Sequence, residues 1–174
     1  GIGKRMGDLT NHNPKCLVEV ADDETILSRQ IKALLHNGIE DIIITTGPFE
    51  TELKAYMTQK FPQVKATYVH NPVYDSTNYI YSMILAKEHF NDDLLLMHGD
   101  LVFAEELLKE TIAATEENTV LVNPDAPLPE KDFKARIKDG RVVEISIDIF
   151  GPDCSFLIPL YKLSKGLCSR WLKQ

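Results

Sequence analysis

The 174-residue sequence has little cysteine, no long apolar run and no excess of positive charge. Its three cysteines form an odd set without C-x-x-C spacing, so neither a disulfide framework nor a zinc knuckle is indicated. No stretch approaches the roughly 18 apolar residues of a membrane span, and no signal-peptide pattern is present. A formal net charge of −7 argues against a general affinity for nucleic acid. These absences favour a cytoplasmic protein that acts on small molecules, with neither a nucleic acid nor a membrane as its partner.

Two common nucleotide-binding motifs are also missing. The Walker A pattern G-x-x-x-x-G-K-[ST] does not occur, and the opening glycines lack the third glycine of the dinucleotide fingerprint. The opening does contain a basic loop, GIGKRMGDLTNHNPKC. Gly1 and Gly3 allow backbone N–H groups to approach an anion, and Lys4, Arg5 and Lys15 add positive charge. Taken alone, the loop fits either a phosphate site or an ordinary basic surface loop.

Helical and strand-like segments alternate along most of the chain. TILSRQIKALLHNG places apolar residues at helical spacing and ends at Gly38, whereas DIIITTG is a β-branched run typical of a strand buried on both faces. Further helices are predicted in ETELKAYMTQKF, NYIYSMILAKEHF, EELLKETIAAT and SKGLCSRWL, and further strands in KATYVHN, DLLLMHGD, NTVLVN and SFLIPLYKL. Helices between parallel strands require right-handed crossovers. We therefore expect a Rossmann-like three-layer α/β domain with a mostly parallel sheet.

Late in the chain the pattern changes. FKARI and RVVEISI flank KDG, which predicts a small antiparallel hairpin. No linker divides the chain, so residues 1–174 are expected to form a single domain. Ligands of such sheets bind beyond the carboxyl ends of the strands. The candidate binding segments are therefore the opening loop, TTGPFE, HNPVYDSTN and HGDLVF.

The opening segment resembles the nucleotidyltransferases that join a nucleoside monophosphate to a sugar phosphate or related phosphate. Members of that family open with G-x-G-x-R-[LM]-x-x-[LM]-T-x-x-x-P-K-x-L. The matching positions are Gly1, Gly3, Arg5, Met6, Leu9, Thr10, Pro14, Lys15 and Leu17. NPVYDSTN and HGDLVF extend the resemblance over most of residues 1–105, towards the bacterial CTP:phosphocholine cytidylyltransferases. Cytidylyltransferases that act on 2-aminoethylphosphonate look similar in the same regions.

The resemblance implies a Mg²⁺-dependent transfer of CMP from CTP to phosphocholine or a close phospho-amine, with release of pyrophosphate. It implies that Gly1, Gly3 and Arg5 hold the nucleotide, and that Arg5 and Lys15 neutralise phosphate charge during the displacement. It also implies Asp100 as the Mg²⁺ ligand, because a hard cation prefers carboxylate oxygen. The implied contacts to base and ribose are Asn71, Ser76, Thr77 and Asn78.

The acceptor site is less constrained by the sequence. A trimethylammonium group is bound by aromatic faces, often beside a carboxylate. The candidates are Tyr74 and Tyr79 for the ring faces, Asp75 or Asp153 for the carboxylate, and Lys134 for the acceptor phosphate. Each has an ordinary alternative, because aromatic residues usually fill cores and a strand lysine is usually solvated. Likewise, Asn71 fits a turn and Asp100 fits a helix cap.

Two features depart from the family pattern. No strand precedes the glycine loop, and no acidic residue follows Asp153, where the family supplies a second metal-binding aspartate. We therefore expect that the chain lacks its native first strand and C-terminal end, or that its metal site has diverged. The first case predicts an unfilled slot beside the strand at Ile42 to Thr45, or Gly1 displaced from the site.

Two alternative functions remain open from the sequence. One is a sugar-1-phosphate nucleotidyltransferase that uses another NTP. The other is a catalytically weak nucleotide-binding or regulatory domain, which the missing second aspartate favours. The sequence does not indicate an oligomeric state.

Overall fold

The computed structural model describes residues 13–172, which contain five α-helices and nine strands. The helices are α1 (Ile26–His36), α2 (Glu50–Lys60), α3 (Tyr79–Ala86), α4 (Glu105–Ala113) and α5 (Lys165–Trp171). The strands are β1 (Glu19–Ala21), β2 (Glu24–Thr25), β3 (Ile43–Thr46), β4 (Thr67–His70), β5 (Leu94–Met97), β6 (Thr119–Asn123), β7 (Lys134–Lys138), β8 (Arg141–Ser146) and β9 (Cys154–Leu163). Every helix and strand predicted above is present. The sequence reading missed the β1–β2 hairpin and the 3-10 helix at Lys15–Leu17.

Helix α1 follows directly from its sequence. It begins with a capping box, in which Thr25 and Ser28 exchange hydrogen bonds between side-chain hydroxyls and backbone amides. Its apolar residues Leu27 and Ile31 are buried in one of two hydrophobic cores. The helix is followed by Gly38, whose φ of +75° is the left-handed conformation expected after a last turn.

The strand pairing departs from the mostly parallel sheet that we expected. Among the described strands, β3 and β4 form the one parallel pair, with Ile43 opposite Thr67 and Thr46 opposite His70. Strand β9 pairs antiparallel with β5, β6 and β7, and β7 pairs antiparallel with β8, giving a five-stranded sheet. The α/β class is confirmed, but the mostly parallel arrangement is wrong for residues 13–172.

The last strand, β9, accounts for the antiparallel pairing of the five-stranded sheet. Strands β5 and β6 both run antiparallel to β9, so they run in the same direction as each other, as the helix α4 between them predicts. Because β9 lies between them, its pairing with each of the two is antiparallel. An apolar run such as SFLIPLYKL predicts a strand, but its composition does not reveal the direction of that strand.

The predicted hairpin is confirmed. Strands β7 and β8 are joined at Asp139 and Gly140, whose φ values of 50° and 72° fit the two-residue turn that matches strand twist. Strand β7 also pairs with β9, with Arg136 opposite Cys154. The hairpin therefore extends the five-stranded sheet.

A cleft of about 1050 Å³ lies between β3 and β5. Within residues 13–172, the strand partner of β3 is β4 alone, and the strand partner of β5 is β9 alone. Strand β3 is also less buried than predicted, since Ile43 and Ile44 are half-buried and Thr45 is exposed. No helix in the described part of the chain is long and apolar enough to cross a membrane.

Candidate active site

Lys15 and Asp100 bring the opening segment to the end of β5. Lys15 lies in the 3-10 helix that follows Pro14, and Asp100 lies just beyond Met97. The ammonium of Lys15 donates a hydrogen bond of 2.9 Å to Oδ2 of Asp100. The two side chains are 20% and 43% exposed, so water and ligands can reach the pair. The structure thus joins two residues that lie 85 positions apart and that the sequence had assigned to one reaction.

This contact sets the charge of Asp100. Partial burial acts to raise the pKa of the Asp100 carboxyl, but the hydrogen bond and charge of Lys15 outweigh that effect. The pKa of Asp100 therefore lies below its ordinary value, and the group is an anion near pH 7. A carboxylate that faces solvent beside one cation can accept a second cation, provided that phosphate groups supply the remaining negative charge.

His98 lies on the other side of Asp100. Its Nε2 atom is buried and has no hydrogen-bond partner among the described residues, and its ring centroid lies 4.8 Å from that of Tyr79. Burial lowers the pKa of His98, and the carboxylate of Asp100 offsets this only in part. The imidazole is therefore neutral near pH 7, and His98 supplies no second positive charge to the site.

Cys16 packs against the backbone beside Asp100. A Cβ added at Gly99 would lie 3.7 Å from Cβ of Cys16, which is an ordinary packing distance. Burial raises the pKa of Cys16 to about 11, so its thiol stays protonated near neutral pH. Cys16 is therefore a packing residue and not a nucleophile.

Asp100 is the kind of ligand that a magnesium ion prefers. Magnesium is commonly held by one or two carboxylates together with substrate phosphate oxygens, and Asp100 provides one accessible carboxylate. Within residues 13–172, no group of three or more His, Cys, Asp or Glu side chains is arranged to hold a metal ion. In this part of the chain, a magnesium ion would thus depend on Asp100 and on the substrate for its ligands.

The loop after β4 is held together by its own side chains. Asn71 is 2% exposed, and its amide donates hydrogen bonds to the hydroxyls of Thr77 (3.1 Å) and Ser82 (3.0 Å). The hydroxyls of Ser76 and Thr77 both donate to the carbonyl of Val73. The predicted base-contacting residues Asn71, Ser76 and Thr77 are therefore bonded within the loop, which they shape.

Asn78 ends this loop and begins α3. Its side-chain oxygen accepts a hydrogen bond of 3.0 Å from the amide of Ile80, which makes Asn78 the N-cap of the helix. Asn78 is exposed, so its amide group faces solvent at the start of the helix.

The carboxyl end of the parallel pair carries a second charged group. Glu50 accepts hydrogen bonds from the hydroxyl of Thr46 (2.5 Å) and from the ring of His70 (2.8 Å), and it also pairs with Lys54. The hydrogen bond from Lys54, together with that from Thr46, lowers the pKa of Glu50 to about 2. Glu50 thereby ties the ends of β3 and β4 together.

The three predicted acceptor residues lie in packed positions. A Cβ built at Gly47 would lie 3.2 Å from Cγ of Tyr74, so the Tyr74 ring lies directly against the backbone after β3. Tyr79 is half-buried between the rings of His98 and Phe133, 4.8 Å and 6.2 Å away between centroids.

Lys134 is the most enclosed of the three, with 0% exposure. Its ammonium donates hydrogen bonds to the carbonyls of Pro129 (2.6 Å) and Asp132 (3.1 Å) and lies 4.2 Å from the ring centroid of Phe150. An acceptor phosphate would therefore reach this ammonium only after the Phe150 ring moved.

Asp153, a candidate counter-charge for an ammonium group, is already paired. Both of its carboxylate oxygens accept hydrogen bonds from Nη1 of Arg136, at 2.7 Å and 2.8 Å. Its negative charge is neutralised within the protein.

Gln30 is a site residue that the sequence reading missed. It is 5% exposed on α1, and its amide donates to the carbonyls of His98 and Leu101, on either side of Asp100. A glutamine in an otherwise apolar helix stripe was the available signal, since a buried amide needs hydrogen-bond partners. The predicted phosphate contacts Gly1, Gly3 and Arg5 lie outside the described residues.

Known proteins resemble this chain over most of its length. The model of the MobA-like NTP transferase domain matches residues 1–133. The CMP-5'-(3-aminopropyl)phosphonate synthase of Streptomyces rubellomurinus is 30% identical over 129 residues, which cover 74% of this chain and 20% of that protein. The CTP:phosphoglutamine cytidylyltransferase of Campylobacter jejuni is 27% identical over 153 residues, or 84% of this chain and 59% of that protein.

A solved structure shares the fold. The CTP:phosphocholine cytidylyltransferase from Streptococcus pneumoniae superposes with a TM-score of 0.67 at 21% identity, over 99% of this chain and 71% of that one. At this identity, the similarity concerns the fold alone.

Proposed function

The chain belongs to the MobA-like NTP transferase family, and we propose that it transfers CMP from CTP to phosphocholine or a close phospho-amine. The family match confirms the resemblance that the opening segment carries. The observation that supports the reaction best is the contact between Lys15 and Asp100, an exposed cation and anion at the carboxyl end of β5.

In this reaction a phosphate oxygen of the acceptor forms a bond to the α-phosphorus of CTP. The bond from that phosphorus to the oxygen bridging the α- and β-phosphates breaks, and pyrophosphate leaves with the bonding electrons. Both reactants are anions, so their repulsion is the main obstacle to the attack. We assign Lys15 and Arg5 to neutralise phosphate oxygens, and the backbone at Gly1 and Gly3 to hold the triphosphate.

Asp100 would hold a magnesium ion, which when bound stabilises negative charge on the phosphate oxygens. In the ligand-free pair, Lys15 balances the charge of Asp100. With a cation held by Asp100, the ammonium of Lys15 would be available to phosphate oxygen. The exposure of both groups permits this exchange of partners.

The base and ribose are assigned to the loop after β4. Asn71, Ser76 and Thr77 keep this loop in shape through the hydrogen bonds described above, and Asn78 faces solvent at its end. The nucleotide would contact the loop whose shape Asn71, Ser76 and Thr77 fix, and the solvent-facing side chain of Asn78.

For the acceptor we assign Tyr74, Tyr79 and Lys134. The Phe150 ring that covers Lys134 is 52% exposed, so it can rotate into solvent when an acceptor phosphate arrives. The relatives named above act on a phosphonate and a phosphoglutamine, which favours an acceptor that carries both phosphorus and nitrogen. Phosphocholine and 2-aminoethylphosphonate both meet this description.

We also propose that the complete single domain contains one more strand, in the cleft between β3 and β5. Helix α1 borders this cleft with Leu27, Ile31 and Leu34 and is followed by β3. A strand that preceded α1 and lay parallel to β3 would complete a right-handed crossover. A four-residue strand fills about 4.8 by 10 by 13 Å, roughly 600 Å³, which the cleft of about 1050 Å³ can hold.

Hydrogen exchange tests the additional strand. In the native full-length protein, backbone amides of β3 and β5 that point into the cleft are expected to be protected, because they would bond to that strand. In protein that begins at Gly1 the same amides should exchange at least about tenfold faster. Equal exchange in both proteins would show that no strand occupies the cleft.

The reaction is tested by pyrophosphate release from the full-length protein with Mg²⁺. We would offer CTP, UTP, GTP, ATP and dTTP, each with phosphocholine, 2-aminoethylphosphonate and glucose 1-phosphate. Release with CTP and one phospho-amine alone is the expected result. Release with another NTP and glucose 1-phosphate would show that the protein is a sugar-1-phosphate nucleotidyltransferase instead. No release from folded protein that binds CTP would show that it is a nucleotide-binding domain without this activity.

A further inference from the structure

Gln30 occupies an unusual position on α1. It is 5% exposed, and its neighbours on the helix include Leu27, Ile31 and Leu34, which belong to a hydrophobic core. Burying an amide among apolar side chains costs free energy unless both the amide and its partners are hydrogen-bonded. The position of Gln30 therefore needs an explanation in terms of the groups that it contacts.

The contacts of Gln30 converge on the turn that carries Asp100. Its Nε2 atom donates one hydrogen bond of 2.9 Å to the carbonyl of His98 and one of 2.8 Å to the carbonyl of Leu101. The amide of Leu101 also donates to the carbonyl of His98 over 3.1 Å, which closes a four-residue turn. One side chain from α1 thus holds both ends of the turn, with Gly99 and Asp100 between them.

The same part of the chain supplies the partner of the Asp100 side chain. Lys15 lies in the 3-10 helix shortly before α1, and that helix packs against α1. Asp100 is therefore fixed relative to α1 twice, through its backbone by Gln30 and through its carboxylate by Lys15. The side chain that makes the first contact, Gln30, is buried, whereas the Lys15–Asp100 pair is 20% and 43% exposed and accessible to ligands.

We infer that Gln30 is a positioning residue for Asp100, which holds the 98–101 turn in place when the carboxylate exchanges Lys15 for a divalent cation. The expected effect on cation affinity rests on the proposed function. The inference that Gln30 holds the turn in place rests on its hydrogen bonds alone. Removing a residue that orients a metal ligand typically lowers metal affinity about 10- to 100-fold.

The test compares Gln30→Met with Thr111→Val in the full-length protein. Thr111 is a matched control, because it is 1% exposed and its hydroxyl donates only to Leu107 within α4. Gln30→Glu provides a second variant of the same size, which replaces the donor with an acceptor. Two quantities would be measured: hydrogen exchange of the Leu101 amide, and affinity for Mn²⁺ in the presence of a non-hydrolysable CTP analogue.

We expect both Gln30 variants to speed exchange at Leu101 at least about tenfold, and to weaken Mn²⁺ binding about 10- to 100-fold. Thr111→Val should change neither quantity. Unchanged exchange at Leu101 in both folded Gln30 variants would overturn the inference. Faster exchange with unchanged Mn²⁺ affinity would overturn its link to the cation, provided that Asp100→Asn abolishes Mn²⁺ binding.

A failure of the proposed function is recognisable separately. If Asp100→Asn leaves Mn²⁺ affinity at the wild-type value, Asp100 is not the metal ligand. Exchange at Leu101 then decides alone whether Gln30 supports the turn.

Discussion

Two regions of the molecule hold a carboxylate against a cation in different ways. In the cleft face, defined by Lys15, Gly99 and Asp100, one lysine contacts one oxygen, and Asp100 is 43% exposed. In the hairpin base, defined by Lys134, Arg136, Phe150, Gly151 and Asp153, one arginine contacts both oxygens of Asp153. The first arrangement leaves one carboxylate oxygen without a contact to its lysine, whereas in the second both oxygens accept hydrogen bonds from the arginine. We therefore assign the displacement at the α-phosphorus to the cleft face, and the Arg136–Asp153 pair to the support of the hairpin base.

A large effect on the reaction is expected from Lys15→Ala. Loss of this ammonium removes positive charge from the phosphates as they react, so we expect CMP transfer to fall roughly 100-fold while the protein stays folded. Lys32→Ala is the control, because Lys32 forms an ion pair of similar length with Glu24 on the surface. Steady-state pyrophosphate release measures the activity of both variants. Equal losses of activity in the two would contradict the assignment of the reaction to the cleft face.

Lys134→Ala is expected to act on stability. Because Lys134 is fully buried, truncation leaves a cavity and two carbonyls without their donor, at a cost of about 2–4 kcal/mol in the free energy of unfolding. Urea denaturation gives this quantity. A loss below about 0.5 kcal/mol would show that the ammonium is not a structural element of the hairpin base.

Two glycine substitutions compare the regions directly. Gly151 has a φ of +142°, and a Cβ there would lie 3.0 Å from Oδ1 of Asp153. We expect Gly151→Ala to lower the free energy of unfolding by about 1–3 kcal/mol. Among residues 13–172, a Cβ at Gly99 meets only Cβ of Cys16, at 3.7 Å, so Gly99→Ala should cost less than about 0.5 kcal/mol. Denaturation curves that rank the two variants in the opposite order would contradict this packing.

The smallest effect is expected in the pH dependence of stability. The hydrogen bonds from Arg136 lower the pKa of Asp153 below its ordinary value of 3.8. The ionised group stabilises the folded state above that value, and the contribution is lost as the pH falls through the lower folded-state pKa. Asp153→Asn should therefore flatten the fall in Tm between pH 5 and pH 2.5. A variant curve parallel to that of the wild type would show that the pair does not contribute.

Much of the fold follows from local sequence signals. The spacing of apolar residues and the left-handed Gly38 predict α1, and the Asp139-Gly140 pair predicts the β7–β8 turn. The direction of β9 and its place between β5 and β6 could not be predicted, because they depend on contacts between distant segments. The short β1–β2 hairpin lacks the alternation that marks a strand.

The candidate site was predictable only in part. Lys15 and Asp100 carry a family motif, and the structure places them in contact. Sequence alone does not show whether a polar side chain faces a ligand or its own backbone. Lys134 and Asn71 illustrate this, since the hydrogen bonds of both are made within the protein. Gln30 carried no motif, and its contacts lie 68 and 71 residues away along the chain.

The most direct measurement is CTP-dependent pyrophosphate release by the full-length protein, compared between Asp100→Asn and Asp153→Asn. The two variants remove the same negative charge from the two regions. We predict that Asp100→Asn lowers the rate at least about 100-fold, because it loses the carboxylate proposed to hold the metal ion. Asp153→Asn should keep a rate within about threefold of the wild type at a temperature where it is folded. Equal rates in the two variants, or a larger loss in Asp153→Asn, would contradict the assignment of the chemistry to the cleft face.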